Sequence, residues 1–214
     1  LARYEAMKET VNRVAWDGEW YARATMDDGR FLGVKREPMA KIWLNAQTWA
    51  VLSGMAPAQR AHQAMDSVRR YLNTPLGIKK IDPAMADYPT PEDPLTYYNK
   101  GCGENGSVFC HANAWAVIAE CLLGRGERAW EYYSQLLPMN AQAKAGEWRY
   151  KAEPYVYSSN IFGPESDKFG LANVSWLTGT AAWMYVAFTQ YLLGVKPVWG
   201  GLSIEPCLPP QWES

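Results

Sequence analysis

The residues best suited to chemistry fall between Tyr97 and Trp115. Gly101, Gly103 and Gly106 surround Glu104 and Asn105, and His111 follows at the start of an apolar run. Glycines at this spacing allow backbone turns closed to other residues and let peptide N–H groups approach a polar ligand. His111 falls near the start of a predicted helix, where free N–H groups and the helix dipole favour an anion. A histidine satisfied in the core would look the same in isolation. The glycine loop, the nearby Asn113 and the lack of a metal-pairing histidine favour an anion- or sugar-binding role. His62, the other histidine, sits in a polar helical stretch with no ligand partner at metal spacing, so neither a metal nor a cofactor is expected.

Three further clusters carry candidate groups. Trp176-Leu177-Thr178-Gly179-Thr180-Ala181 opens the last predicted helix with hydroxyls and exposed N–H groups, which suits an anion as well as simple capping. Paired with His111 on a neighbouring helix, Thr178 and Gly179 form a two-part anion site. Asp17 and Glu19 stand between tryptophans, and paired carboxylates flanking a sugar bond are the machinery of glycoside cleavage. Residues two apart in an extended segment point to opposite faces, so these two do not serve one substrate together. Asp17 alone remains a catalytic candidate against an ordinary turn role. Glu153-Pro154-Tyr155-Val156-Tyr157 sets a carboxylate among aromatics, a pattern equally suited to a sugar-facing wall and to packing.

The elements that must position these groups are helical. Helices are predicted from Leu1 to Arg13, Ile42 to Ser53, Ala58 to Leu72, Phe109 to Leu123, Glu127 to Leu137 and Val174 to Leu193. Glu147 to Tyr157 follows as a further segment, with a possible helix break before Glu153 and a proline at 154. Asp27-Asp28-Gly29 signals a hairpin turn before Phe31-Leu32. The proline-rich stretch from Asn73 to Asn99 is expected to be a long functional loop. A weak internal repeat places Trp49, Trp115 and Trp183 at matching points of Gln47–Val51, Asn113–Val117 and Ala181–Tyr185. The first two copies each pass through a glycine turn into an amphipathic partner, the grammar of stacked helical hairpins. Hairpins of this kind close into a ring with apolar inner helices and long loops gathered at one mouth. Three hairpins do not close a ring, so more chain is expected to complete it. Residues 1–196 are assigned to the helical part, and residues 197–214, with a strand at Gly201–Pro209, to the start of a β-region.

Composition narrows the partners. The formal charge of -1 shows no basic surface for nucleic acid, and eleven Trp and thirteen Tyr supply flat platforms on which sugar rings stack. Cys102, Cys110, Cys121 and Cys207 have no CxxC spacing and read as small buried hydrophobes, as in a reducing compartment. No membrane-length apolar run and no signal-like start are found, and a cytoplasmic protein is expected.

Five motifs together resemble one family. Trp16-Asp17-Gly18-Glu19-Trp20-Tyr21, Leu44–Val51, Glu104-Asn105-Gly106 with Phe109–Asn113, Glu153–Tyr157 and Trp176–Ala181 occur in the order of the cellobiose and chitobiose phosphorylase family. These are inverting disaccharide phosphorylases of glycoside hydrolase family 94, formerly glycosyltransferase family 36. The resemblance implies an all-α catalytic domain, an (α/α)6 barrel, in a cytoplasmic and often dimeric enzyme. It also implies phosphorolysis of a β-glucosidic disaccharide: inorganic phosphate, a substrate, attacks the anomeric carbon and releases an α-sugar-1-phosphate. On this resemblance the phosphate-binding residues are His111, Thr178 and Gly179, and the sugar-binding candidates are Glu104, Lys100, Tyr155 and Lys80.

Departures from the family pattern are specific. The family's general acid lies in a Trp-Asn-Asp motif upstream of the segment matching Asp17, and no such motif occurs here. The proton donor is therefore expected outside this chain, in the remaining part of the same enzyme. A basic residue usually precedes the family's Glu-Asn, where this chain has Gly103, with Lys100 as a candidate substitute. Ser158-Ser159 stand where a Gln is frequent. Lys79-Lys80 replace apolar residues, which raises an acidic, cellobionic-acid-like acceptor beside a cellobiose-like one. An inverting hydrolase of the same barrel type and a non-catalytic sugar-binding piece are the competing functions.

Overall fold

The computed structural model describes residues 1–85 and 98–212. Part of the expected long loop, and Tyr97 at the edge of the glycine stretch, lie outside the described residues.

The helical hairpins are present. Helix α1 (Ala2–Val14) leads through a bridge between Trp16 and Tyr21 into β1 (Ala24–Thr25) and β2 (Phe31–Leu32). These strands pair antiparallel about the Asp27-Asp28-Gly29 turn, where the Asp28 carboxylate accepts from the Arg30 amide at 2.9 Å. Strand β3 (Ile42–Trp43) runs directly into α2 (Leu44–Leu52), and Gly54 turns the chain towards α3 (Ala58–Leu72), which Pro57 opens. After β4 (Asn73–Thr74), β5 (Gly77–Ile78) and β6 (Ile81–Asp82), the glycine loop enters β7 (Val108–Phe109) and α4 (Cys110–Leu122). Gly124, in the left-handed region at φ +70°, turns α4 into α5 (Gly126–Leu136).

The second half departs further from expectation. Pro138 does not end the helical run; it starts α6 (Pro138–Ala145), because a first-turn residue needs no N–H partner. Helix α7 (Glu147–Tyr150) is a single turn, closed by Lys151 in the left-handed region. Strands β8 (Ser158–Ile161) and β9 (Ala172–Ser175) follow, then α8 (Thr180–Val186), continued by a π-helical segment over Ala187–Leu192. The helix expected from Val174 thus begins at Thr180. Asn160 pairs with Asn173 and Ser158 with Ser175, a cross-strand demand that overrides local helical pattern. Strands β10 (Val195–Val198) and β11 (Gly201–Ile204) form a terminal hairpin, and the boundary expected at residue 196 falls inside β10.

The helical expectation is met in part: among the described residues the helices are accompanied by five small sheets, of orders β1-β2, β3-β6, β4-β5, β7-β8-β9 and β10-β11. Strands β3 and β7 each run without a break into α2 and α4, and β9 precedes α8 by a short loop. Strands of two residues carry too little periodicity to be read from sequence; non-local pairings such as Trp43 with Ile81 define them.

Helix α4 is the centre of the packing, in contact with α2, α5 and α8. Its Ala112, Ala116, Val117 and Ile118 join Leu44, Met65, Val68 and Tyr132 in the main core. The repeat noticed in sequence is physical. The Trp49 and Trp115 rings meet edge-on at 5.3 Å, and Trp115 meets Trp183 at 5.8 Å, so the three repeat tryptophans line up across α2, α4 and α8. Among the described residues no helix is long and apolar enough to cross a membrane.

Candidate functional site

The glycine loop is shaped as its composition suggests. Gly101, Gly103 and Gly106 all have positive φ. At Gly103 the requirement is also spatial, since an added Cβ would stand 2.8 Å from the Tyr98 ring. Asn105 is buried and closes the loop: its Oδ1 accepts from the Met85 amide at 2.7 Å and its Nδ2 donates to the Tyr98 carbonyl at 2.8 Å. Ser107 Oγ donates to the Gly103 carbonyl. With Asn105 turned inward, the Glu104 side chain stays 54% exposed at the surface of the site.

Lys80 meets it there. The lysine is 5% exposed, its Nζ lies 3.5 Å from Glu104 Oε2, and the ammonium sits over the Phe109 ring at 4.7 Å. Burial pulls the Lys80 pKa below the usual lysine range, with the Glu104 carboxylate opposing and Arg23 adding to the fall. Lys80 also acts on His111, whose pKa is held below its ordinary value by burial first and by the Lys80 charge second. A neutral His111 follows at neutral pH, able to donate one ring hydrogen. Its Nε2 is buried and has no hydrogen-bond partner among the described residues.

His111 rests on the start of α8. A Cβ added to Gly179 would come within 2.8 Å of His111 Cε1 and 3.1 Å of Nδ1, so only glycine leaves the ring where it is. Beside it, Thr178 Oγ1 accepts from the Thr180 amide at 3.1 Å and lies 2.6 Å from Thr180 Oγ1. Trp115 and Trp183 flank the imidazole at 5.0 Å and 6.1 Å. The structure thus brings Thr178 and Gly179 against His111, and Lys80 against Glu104, from three separate stretches of the chain.

Other candidates stand elsewhere. Asp17 Oδ2 accepts from the Lys35 backbone amide at 2.6 Å, and Glu19 pairs with the Lys35 ammonium at 2.9 Å, so both carboxylates fasten the turn to the loop after β2. The Asp17 carboxylate is thus taken up within the turn. Tyr155 is 76% exposed in the loop before β8, where Trp176 donates its indole hydrogen to Glu153 at 2.9 Å. Lys100 is exposed at the head of the glycine loop. Asn113 does not face His111; it is fully buried, accepting from Ile78 N at 2.7 Å and donating to Ile78 O at 2.9 Å and Phe109 O at 3.0 Å. Lys79 is engaged by Asp82 and by Glu165 at 3.0 Å.

Sequence reasoning missed the cleft beside Glu104. Arg23, Leu32, Trp43, Met85 and Tyr98 enclose about 390 Å³ with Glu104 at its edge, and the Arg23 guanidinium lies 5.6 Å from the Trp43 ring centroid. Mostly apolar walls with one carboxylate and one cation suit a sugar ring. Only the general abundance of aromatics hinted at it.

The structure thus offers two features able to hold a polar ligand: the aromatic-walled cleft edged by Glu104, and the half-buried His111 against the start of α8. The chain belongs to the glycosyl hydrolase 94 superfamily: the profile of that superfamily's catalytic domain matches residues 2–194. It is 40% identical over 221 residues to the N,N'-diacetylchitobiose phosphorylase of Vibrio furnissii, covering 99% of this chain and 27% of that protein. It is 39% identical over 207 residues to the solabiose phosphorylase of Paenibacillus borealis, covering 97% and 27%. The cellobionic acid phosphorylase of Neurospora crassa is 29% identical over 215 residues, covering 98% and 27%. The chain therefore spans about a quarter of the length of these relatives.

Proposed function

We propose that this chain supplies the phosphate-binding half of an inverting disaccharide phosphorylase, as three hairpins of an (α/α)6 barrel whose remaining helices lie elsewhere in the same enzyme. One observation carries the reading: the His111 ring, with a buried and unpartnered Nε2, lies against Gly179 beside Thr178 and next to the Lys80–Glu104 pair. Phosphate held there attacks the anomeric carbon of a sugar seated against Glu104. A carboxylic acid from outside this chain protonates the departing glycosidic oxygen, and the carbon inverts to the α-sugar-1-phosphate. Phosphate replaces the activated water of an inverting hydrolase, so one protein acid suffices.

The names of the relatives, phosphorylases of chitobiose, solabiose and cellobionic acid, support a β-linked disaccharide as substrate. Lys79 is engaged by two carboxylates, which supports a neutral, cellobiose-like acceptor over an acidic one. The terminal β10–β11 hairpin is read as the start of a further β-region. Four free thiols fit a cytoplasmic enzyme.

The test is a screen of the full-length protein with α-glucose-1-phosphate and α-N-acetylglucosamine-1-phosphate against a panel of acceptors, followed by phosphorolysis of the product. Sugar-1-phosphate release that requires phosphate supports the reading. Free sugar released without phosphate identifies a hydrolase, and binding without turnover identifies a non-catalytic carbohydrate module.

A further inference from the structure

The position of Lys80 is electrostatically costly without an anionic ligand. Its backbone is fixed between two helix starts: Lys80 N donates to Ser107 O at 2.8 Å, and Lys80 O accepts from Leu44 N at 2.9 Å. Leu44 begins α2, and Ser107 lies just before β7 and α4. Phe109, whose ring lies under the ammonium, is the N-cap of α4, and a helix N-terminus disfavours a cation. The partner carboxylate is at 3.5 Å and half-exposed, a weak offset for burying an ammonium. Arg23 adds a second positive charge nearby. Among the described residues, Glu104 is the one carboxylate that pairs with this lysine. The Phe109 ring under the ammonium immediately precedes the helix turn that carries His111 and its unpartnered Nε2.

We infer that Lys80 is a shared cation of the two subsites: its ammonium contributes to binding the phosphate dianion at His111 while it holds the Glu104 carboxylate towards the sugar. The inference rests on the phosphorylase reading above and adds a phosphate-binding group to His111, Thr178 and Gly179. Lysine suits the task because its compact charge and rotatable donors serve a carboxylate and a phosphate oxygen at once. Phosphate supplies negative charge that matches both the ammonium and the start of α4.

The test compares full-length wild type with Lys80→Met, Lys80→Gln and Lys80→Arg, using phosphorolysis at varied phosphate and varied disaccharide. Lys80→Met is expected to raise KM for phosphate by about 10- to 100-fold, the effect of losing one hydrogen bond between charged groups. KM for the disaccharide is expected to change less than the phosphate KM does, and Lys80→Arg to recover most of the phosphate affinity. Should Lys80→Met fail to fold by thermal melting, Lys80→Gln carries the same comparison. An unchanged phosphate KM with a raised disaccharide KM would show that Lys80 serves Glu104 alone and overturn the inference. Wild-type turnover that needs no phosphate overturns the phosphorylase reading itself, a separate result.

Discussion

Gly179 and His111 are in such close apposition that any side chain at 179 would displace the imidazole: an added Cβ would stand 2.8 Å from Cε1. Gly179 has an ordinary φ of -77°, so the constraint is space, not backbone conformation. Gly179→Ala is therefore expected to fold, with a change in stability below about 1 kcal/mol. Its KM for phosphate should rise by about tenfold or more as the ring is pushed aside. Phosphorolysis kinetics on the full-length variant, beside its melting temperature, check both parts.

Titration of His111 gives a second expectation. Burial and Lys80 hold its folded pKa below the ordinary 6.5, so the folded chain binds fewer protons there than the unfolded chain. The stabilising contribution is full above about 6.5 and is lost as pH falls from there through the lowered folded value. Wild type should lose more stability than His111→Gln on acidification through this window. Added phosphate should offset part of the loss, because a protonated imidazole pairs with the anion. Melting temperature against pH, with and without phosphate, measures it; parallel curves for the two proteins would refute it.

How far these groups could be read from sequence depends on the range of the interaction. The hairpins, the Gly124 turn and the positive-φ loop glycines are local demands, and they were legible. So was the tryptophan repeat, although its meaning, a row of rings across α2, α4 and α8, needed the fold. Glu104 and Lys80 are on different segments, and nothing local says that a buried lysine will meet a carboxylate across a loop. Asn113 shows the converse error. Its closeness to His111 in the chain suggested a shared ligand, but residues two apart on a helix point to nearly opposite sides, and its amide is taken up by Ile78.

Glu120 makes a third prediction, away from the site. It is fully buried near the end of α4, facing Arg125 at 3.6 Å and Arg128 at 4.0 Å, with Asp66 and Tyr132 nearby. Burial outweighs both arginines and raises its pKa to about 7. The folded chain then holds a proton that the unfolded chain releases from pH 4.5 upward. Stability falls as pH rises from there to about 7, and stays reduced above it. Glu120→Gln should flatten that dependence and be the more stable protein at alkaline pH, on the order of 1 kcal/mol. Chemical denaturation at pH 5 and pH 8 checks the sign; a variant equally destabilised at both would show that the arginine pairing dominates.

Asn113 separates structure from function most cleanly. Its amide bonds both the N–H and the C=O of Ile78, clasping β5 to α4 at a point with no access to water. Asn113→Ala leaves both backbone groups and the Phe109 carbonyl without that partner. Each orphaned buried group costs about 1–3 kcal/mol, so a loss of roughly 2–5 kcal/mol is expected in urea denaturation. Asn113→Asp keeps the acceptor for Ile78 N–H but sets a carboxylate against the Ile78 carbonyl, and should be at least as damaging. Where the alanine variant remains folded at low temperature, its phosphate KM should stay within about threefold of wild type, a shift below 1 kcal/mol. A selective rise in that KM with little loss of stability would instead return Asn113 to the phosphate pocket that its place beside His111 in the sequence first suggested.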